Sequence, residues 1–166
     1  GEIRDLETAE IAIQASLTGH LVLSTVHTND SVAAITRMID IGIESYLLAS
    51  TLKAVLAQRL VRKLCSSCKE PFSLDSNIGT LNKGTKVFKA KGCDNCNNTG
   101  FQGRVGIFEL FLITDEIKEA INAGETENRL SDLAFSNVNK LSHSGYDLVL
   151  RGVTSLEEIL RVTSEK

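Results

Sequence analysis

Two Cys-x-x-Cys pairs constrain this chain more than any other feature of its sequence. Cys65-Ser-Ser-Cys68 and Cys93-Asp-Asn-Cys96 contain all four cysteines of the 166 residues. A Cys-x-x-Cys turn directs two sulfurs toward one centre, and two such turns complete the tetrahedral set of four thiolates that Zn²⁺ accepts. The sequence therefore predicts a structural zinc site with Cys65, Cys68, Cys93 and Cys96 as ligands and no coordination position left for a catalytic water.

Other uses of these cysteines stay open at this point. Two disulfides, a redox pair and four unrelated thiols are the alternatives. Disulfides are disfavoured if the chain is cytosolic, and a redox pair needs a Cys-x-x-Cys that opens a helix rather than two that flank a loop-rich segment. The segment 65–103 is polar, carries the only proline and lacks long periodicity, so we expect a small inserted module that the metal folds.

The segment before the insert alternates helical and strand patterns. We predict a helix over Asp5–Leu17, a strand buried on both faces over His20–His27, a helix over Ser31–Ile41 closed by Gly42, a helix over Glu44–Gln58 and a short strand over Leu60–Leu64. Tight connections between such elements favour an α/β domain with a largely parallel sheet.

The segment after the insert resumes with a strand and continues with helices. The patterns predict a strand over Val105–Phe111 and helices over Thr114–Ala123, Thr126–Ser144 and Thr154–Arg161. We therefore expect three segments: a core segment over 1–64, the tetracysteine insert over 65–103, and a final core strand with C-terminal helices over 104–166.

Composition narrows the class of protein. Hydrophobic residues make up 42% and charged residues 23%, values typical of a globular chain, and the net charge of −3 gives no global nucleic-acid signature. No apolar run reaches the roughly 20 residues that span a bilayer, and no signal peptide opens the sequence. The chain lacks an initial Met, so we expect a fragment whose upstream half is missing.

Charge is unevenly distributed. The insert and its approach are basic, through Arg59, Arg62, Lys63, Lys69, Lys83, Lys86, Lys89 and Lys91. Only Phe72 and Phe88 interleave with them, which is a poor platform for stacking bases. We expect this patch to face a partner protein or anionic lipid headgroups rather than a specific nucleic acid.

Four polar residues near the N-terminus are candidates for active-site contacts. His27 follows the carboxyl end of the predicted strand, where ligands of open α/β sheets bind, whereas His20 lies about 23 Å away in an extended chain and on the opposite face. Glu2 precedes a helix and can position water or hold Mg²⁺ through water. We also place Thr25 near a bound phosphate.

In order and spacing, these motifs resemble the secretion and pilus-assembly ATPase family, the hexameric motors of type II secretion and type IV pilus assembly. Gly1–Glu10 resembles the end of that family's Walker B motif, Thr18–Asn29 its His box, Ala57–Cys65 the start of its tetracysteine module, and Gly100–Leu110 and Gly152–Thr163 its C-terminal signatures. The tetracysteine module resembles secretion and pilus-extension motors rather than retraction motors.

The resemblance implies a fold and a set of roles. The fold is the C-terminal half of a RecA-like P-loop ATPase domain with an inserted zinc module. Glu2 takes the Walker B role toward Mg²⁺ and the attacking water, and His20 and His27 take the His-box roles, with His27 the better γ-phosphate sensor. The implied partners are further copies in a hexamer and inner-membrane platform proteins, which place the protein at the cytoplasmic side of the bacterial inner membrane.

Two departures qualify that reading. No GxxxxGK[ST] loop occurs in these residues, so we expect no ATP hydrolysis by the chain alone. Ser142–Gly145 replaces a segment that is usually more acidic. The alternative is a zinc-stabilised interaction module without turnover, which explains the cysteines but leaves Glu2 and His27 unexplained.

Overall fold

A computed structural model of the chain describes residues 1–28, 30–135 and 140–163. The helices are α1 (Leu6–Leu17), α2 (Ser31–Ile41), α3 (Ser45–Thr51), α4 (Asp115–Asn122), α5 (Glu127–Phe135), α6 (Leu141–Leu150) and α7 (Leu156–Thr163). The strands are β1 (Ala54–Leu64), β2 (Glu70–Ser73), β3 (Lys86–Lys89) and β4 (Phe101–Leu112), and a single 3₁₀ turn spans Asp94–Cys96.

The chain divides into two compact units. The first comprises Gly1–Ala57 and Leu110–Val138, and the second comprises Gln58–Glu109 and Asn139–Lys166. The first unit packs its apolar helix faces into one core, whose fully buried members include Ala9, Ile35, Ile121 and Phe111. The buried apolar residues of the second unit include Val61, Leu81, Val87, Ile107, Val149 and Ile159.

Local capping fixes helices α1 and α2 of the first unit where the sequence predicts them. The Asp5 carboxylate accepts the Thr8 amide at 2.9 Å and starts α1, and the Asp30 carboxylate accepts the Ala33 amide at 2.8 Å and starts α2. Gly42 ends α2 in the left-handed conformation, with φ of 115°. These three predictions are confirmed because short-range hydrogen bonds determine the helix ends.

In the second unit, the insert packs against the C-terminal helices. Its strands β2 and β3 pair antiparallel, and β3 contacts both α6 and α7. The Lys69 ammonium donates to the Gly152 carbonyl at 2.7 Å and lies 4.6 Å from the centre of the Phe88 ring. The division of the chain into three sequence segments stays a prediction. Within the second unit, the insert packs directly against α6 and α7.

The Ser142–Gly145 departure has a packing role. The Ser144 hydroxyl accepts the backbone amide of Phe108 in β4 at 3.2 Å. A Cβ on Gly145 would lie 2.7 Å from the Ile159 side chain, so the close approach of α6 and α7 requires glycine there. Two small residues therefore fit α6 against β4 and α7.

Two buried carboxylates also hold the second unit together. Glu109 in β4 is 4% exposed, and its carboxylate accepts the Leu141 amide at 3.0 Å, at the positive end of α6. The fully buried Glu158 side chain accepts hydrogen bonds from Arg62 and Arg161. Glu158 thereby joins β1 to α7.

The predicted strand over His20–His27 is wrong in its burial and pairing. Residues 20–25 are exposed, with Leu21 and Leu23 more than 80% accessible, and the segment forms one parallel bridge, between Glu2 and Thr25. Apolar composition shows that a segment can be buried, but burial in a sheet needs strands on either side. In the described residues, only the first residues of the chain run alongside this segment.

The predicted helix over Glu44–Gln58 ends early. Helix α3 ends at Thr51, and β1 takes up Ala54 onward, absorbing the predicted short strand Leu60–Leu64. Ala, Leu, Gln and Arg favour a helix locally, but the segment also alternates in and out with a period of two. Pairing with β4 outweighs the local propensity.

The largely parallel sheet is also not what the described residues form. β1 pairs with β4, and the amides of Ile113 and Cys65 donate to the carbonyls of Lys53 and Gly100 respectively, a register that runs antiparallel. The predicted helix over Thr126–Ser144 is instead the two helices α5 and α6, with 136–139 outside the described residues. The other predicted elements, Val105–Phe111, Thr114–Ala123 and Thr154–Arg161, are confirmed by β4, α4 and α7.

No helix in the described ranges combines the length and the apolar character that crossing a membrane requires.

Candidate functional site

Glu2 is held at the point where the N-terminal segment meets the His-box segment. The Ile3 amide donates to the Thr25 carbonyl at 2.9 Å, and the Thr25 amide donates to the Gly1 carbonyl at 3.4 Å. Ile3 enters the core at 8% exposure. Because side chains alternate along extended backbone, burial of Ile3 directs the Glu2 side chain away from the core.

Each oxygen of the Glu2 carboxylate contacts a different basic side chain. His27 Nε2 lies 3.1 Å from Glu2 Oε1, and the Arg4 guanidinium lies 2.5 Å from Glu2 Oε2. The Glu2 side chain is 21% exposed, whereas the His27 and Arg4 side chains are 86% and 72% exposed. A partly buried carboxylate thus contacts two solvent-exposed side chains.

Electrostatics keeps Glu2 ionised. The hydrogen bond from Arg4 lowers the pKa of Glu2 below its usual value, against an opposing effect of desolvation, and the charges of Arg4 and His27 lower it further. A carboxylate that stays deprotonated can accept a proton or a hydrogen bond from water, or bind a divalent cation through water.

Thr25 and His20 differ in their relation to this pair. Thr25 shares the backbone bridge with Glu2, so it belongs to the same locality. His20 instead contacts the end of α1, where its Nδ1 lies 3.1 Å from the Thr18 hydroxyl and 3.3 Å from the Ala15 carbonyl. The structure therefore brings Glu2, His27 and Thr25 together, and the described contacts of His20 do not include them.

Arg4 is the residue that the sequence reasoning missed. It lies two positions after Glu2 in an extended segment, so the two side chains project to the same face. Opposite charges at that spacing are the signal that could have identified it.

The four cysteine sulfurs form the second cluster. All four lie within 4.8 Å of one another, with Cys65–Cys93 at 4.0 Å and both Cys68–Cys96 and Cys93–Cys96 at 3.8 Å. Zn–S bonds of about 2.3 Å in a tetrahedron place sulfurs about 3.8 Å apart. The donor set and spacing fit Zn²⁺, and the separations are far longer than the roughly 2 Å of a disulfide, which matches four free thiols.

Backbone amides point at one of these sulfurs. The amides of Cys93 and Gly100 lie 3.3 and 3.2 Å from Cys96 Sγ. Desolvation raises the pKa of Cys96, but hydrogen bonds from these amides outweigh it and lower the pKa to about 6. Desolvation raises the pKa of Cys68 to about 11. The cluster thus holds one sulfur that its surroundings favour as a thiolate, the form that binds metal.

Sequence comparison places this chain among secretion proteins. The family described as "Type II/IV secretion system protein" matches residues 1–161. Type II secretion system protein E of Aeromonas hydrophila is 51% identical over 99% of this chain, and type II secretion system ATPase E of Vibrio cholerae is 49% identical over 99%. The chain spans about a third (34%) of the length of each relative.

Solved structures support the fold class. The pilus retraction motor PilT, solved with bound ADP, is 26% identical, with a TM-score of 0.66 over 99% of this chain and 38% of its own. The ATPase DotB of Yersinia pseudotuberculosis shares the fold, at 23% identity and a TM-score of 0.67, over 99% of this chain and 36% of its own. The α/β ATPase-domain fold is therefore supported. With a family match over nearly its whole length, the chain belongs to the type II/IV secretion system protein family.

Proposed function

We propose that this chain is part of an ATPase that powers type II protein secretion or type IV pilus assembly. The observation that carries the proposal is the contact between Glu2 and His27, in a chain 49% identical to a protein named type II secretion system ATPase E. Phosphoryl transfer is catalysed by positioning and charge, so an ionised carboxylate next to an exposed imidazole is a suitable arrangement.

Glu2 orients the attacking water. Its carboxylate accepts a hydrogen bond from that water and fixes the direction of attack on the γ-phosphate. Glu2 would help to hold Mg²⁺ through water, and that ion would supply positive charge to offset the charge that develops on the phosphates. Arg4 contacts Oε2 of Glu2 and His27 contacts Oε1. We expect Oε1 to exchange His27 for water while Arg4 stays on Oε2.

His27 reports the presence of the γ-phosphate. Its imidazole is exposed and contacts Glu2 in the structure, so it reaches a phosphate oxygen without disturbing packed residues. When it donates to a phosphate, it releases Oε1 of Glu2 for water. Thr25 lies on the same bridge, near the phosphate, and His20 supports the His-box segment from the end of α1.

The remaining parts of the proposal concern the intact protein. We propose that hydrolysis requires a phosphate-binding loop outside these 166 residues, and that the working form is a hexamer. In that assembly, ATP-driven movement acts on platform proteins of the bacterial inner membrane, from its cytoplasmic side. The family match and the names of the relatives support a place in the secretion machinery.

We further propose that the cysteine cluster holds a structural zinc ion. Cys65, Cys68, Cys93 and Cys96 supply the ligands, and bound zinc supplies folding free energy to the insert. None of the four sulfurs takes part in hydrolysis. A non-catalytic, zinc-stabilised interaction module is the competing function.

Steady-state ATP hydrolysis by the intact protein that carries this chain tests the proposal. Glu2→Gln should lower kcat about 100-fold or more, and His27→Ala should also lose most activity. Glu116→Gln, an exposed acid in the first turn of α4, is the matched control and should turn over normally.

Zinc content is measured in the same preparations and should be equal in all of them. Full activity of Glu2→Gln, or an inactive intact protein under conditions that favour assembly, would support the interaction module instead.

A further inference from the structure

Gly100 contacts both halves of the cysteine cluster. Its amide points at Cys96 Sγ from 3.2 Å, in the second Cys-x-x-Cys pair. Its carbonyl accepts the Cys65 amide at 2.9 Å, in the first pair. One residue therefore ties together two turns that are 28 positions apart in sequence.

Only glycine fits this position. Gly100 has φ of +76°, which L-residues rarely adopt, and a Cβ there would lie 2.6 Å from the Ala90 Cβ and 3.2 Å from the Lys91 amide nitrogen. The chain that leads into the second pair thus passes directly over Gly100. Gly84, in the same insert, has a similar φ of +85° but open space around it.

The direction of the Gly100 amide matters for a metal bound by thiolates. Four thiolates around Zn²⁺ carry a net charge of −2, and amides that donate to sulfur disperse that charge. The Cys93 amide makes a second such contact, 3.3 Å from Cys96 Sγ. Outer-shell donors of this kind typically change metal affinity 10–100-fold.

We propose that Gly100 is a positioning residue of the metal site, which holds the two Cys-x-x-Cys turns at metal spacing and donates its amide to Cys96 Sγ. This inference rests on the proposed zinc site. It assigns the metal-compatible spacing of the four sulfurs to a residue that is not itself a ligand. It also explains why the sulfurs already lie 3.8–4.0 Å apart across the two turns.

The test compares three variants of the full chain. Gly100→Ala adds both φ strain and the clash with Ala90, and should weaken Zn²⁺ binding about 10–100-fold. Gly84→Ala adds the same kind of φ strain away from the sulfurs, and should leave affinity within about 3-fold. Ala90→Gly combined with Gly100→Ala removes the nearest clashing atom, and should recover part of the loss.

The primary readout is competition for Zn²⁺ against a chromophoric chelator, with circular dichroism to follow folding. A wild-type affinity in Gly100→Ala, or an equal loss in Gly84→Ala, would overturn the inference while leaving the zinc site intact. Failure of the wild-type chain to bind Zn²⁺ would overturn the zinc proposal itself, so the two failures are distinguishable.

A measurement on the unmutated chain covers the case in which Gly100→Ala does not fold. In protein loaded with ¹¹³Cd²⁺, a hydrogen bond from an amide to a coordinated sulfur gives a scalar coupling between that amide proton and the metal nucleus. We expect such couplings from the Gly100 and Cys93 amides. A spectrum with the Cys93 coupling but none from Gly100 would refute the role of Gly100.

Discussion

The Glu2–His27 pair and the cysteine insert are fixed in different ways. Glu2 and His27 meet across a single parallel bridge, and the His27 side chain is 86% exposed. The four sulfurs meet between turns that backbone amides brace, with Cys65 and Cys96 buried, and β3 beside them packs on α6 and α7. The first cluster is held loosely by few contacts, and the second is held by many.

This difference follows from what each cluster is proposed to do. A residue that senses a phosphate must exchange partners. Its contacts in the folded chain should therefore contribute little to the free energy of unfolding. A structural metal site must keep four ligands in one fixed geometry, which hydrogen bonds to those ligands help to maintain. Mutations should therefore separate activity from stability between the two clusters.

Loss of the metal should have the largest effect on stability. Chelation of Zn²⁺, or Cys96→Ser, should lower the melting temperature by on the order of 10 °C or more, because the polar insert has little apolar core of its own. Ser66→Ala, between two ligands, is the control and should melt like wild type. Differential scanning calorimetry with zinc re-addition measures this, and an unchanged melting temperature after complete chelation would contradict it.

Neutralising Glu158 should have the next largest effect. Glu158→Gln leaves Arg62 and Arg161 facing a neutral amide in a site where the carboxylate is fully buried. The Arg62 and Arg161 side chains are 48% and 59% exposed, so losing their charged hydrogen bonds should cost about 1.5–3 kcal/mol of unfolding free energy. Glu157→Gln, the exposed neighbour, should change it by less than about 0.5 kcal/mol.

Urea denaturation at neutral pH compares the two variants. Equal midpoints for Glu158→Gln and wild type would show that β1 and α7 stay joined without this charge.

The same carboxylate predicts a pH dependence. Burial raises the pKa of Glu158, but hydrogen bonds from Arg161 and Arg62 outweigh it and lower the pKa from 4.5 to about 2. Between these pH values the unfolded chain binds more protons than the folded one. The stability that ionised Glu158 contributes is therefore complete above about pH 4.5 and is lost as the pH falls toward 2.

The difference in unfolding free energy between wild type and Glu158→Gln should therefore shrink over that range. Denaturation series from pH 6 to pH 2 measure it, with zinc content followed in parallel. A difference that stays constant down to pH 2 would mean that Glu158 is not held ionised by the two arginines.

The sequence predicted the elements whose ends are set by neighbouring residues. Asp5, Asp30 and Thr114 act on amides three positions away, so α1, α2 and α4 could be located without knowledge of the fold. The cysteine cluster could also be predicted, because each Cys-x-x-Cys spacing brings two sulfurs together and two such pairs match one tetrahedral metal site. That His27 lies nearer the reacting phosphate than His20 stays a prediction, although His27 contacts Glu2 and the described contacts of His20 are at the end of α1.

The elements and burial that the sequence did not predict depend on contacts with residues distant in sequence. Strand β1 replaces the end of a predicted helix because β4, some 50 residues later, pairs with it. The exposure of Leu21 and Leu23 could not be predicted from their apolar side chains, because burial depends on which strands lie alongside. The role proposed for Gly100 likewise depends on its contacts with Cys65 and Cys96, which its place in a sequence signature does not specify.

Removing the His27 imidazole should have the smallest effect on stability. Its side chain is 86% exposed, and its described contact is to the Glu2 carboxylate, so His27→Ala should shift the melting temperature by less than about 2 °C. The same change should remove most ATP hydrolysis in the intact protein. Calorimetry of the chain and steady-state kinetics of the intact protein therefore form a matched pair of measurements. A large loss of stability in His27→Ala would mean that the His-box segment is held by this contact, and the distinction between a loosely held reactive pair and a rigid metal site would no longer hold.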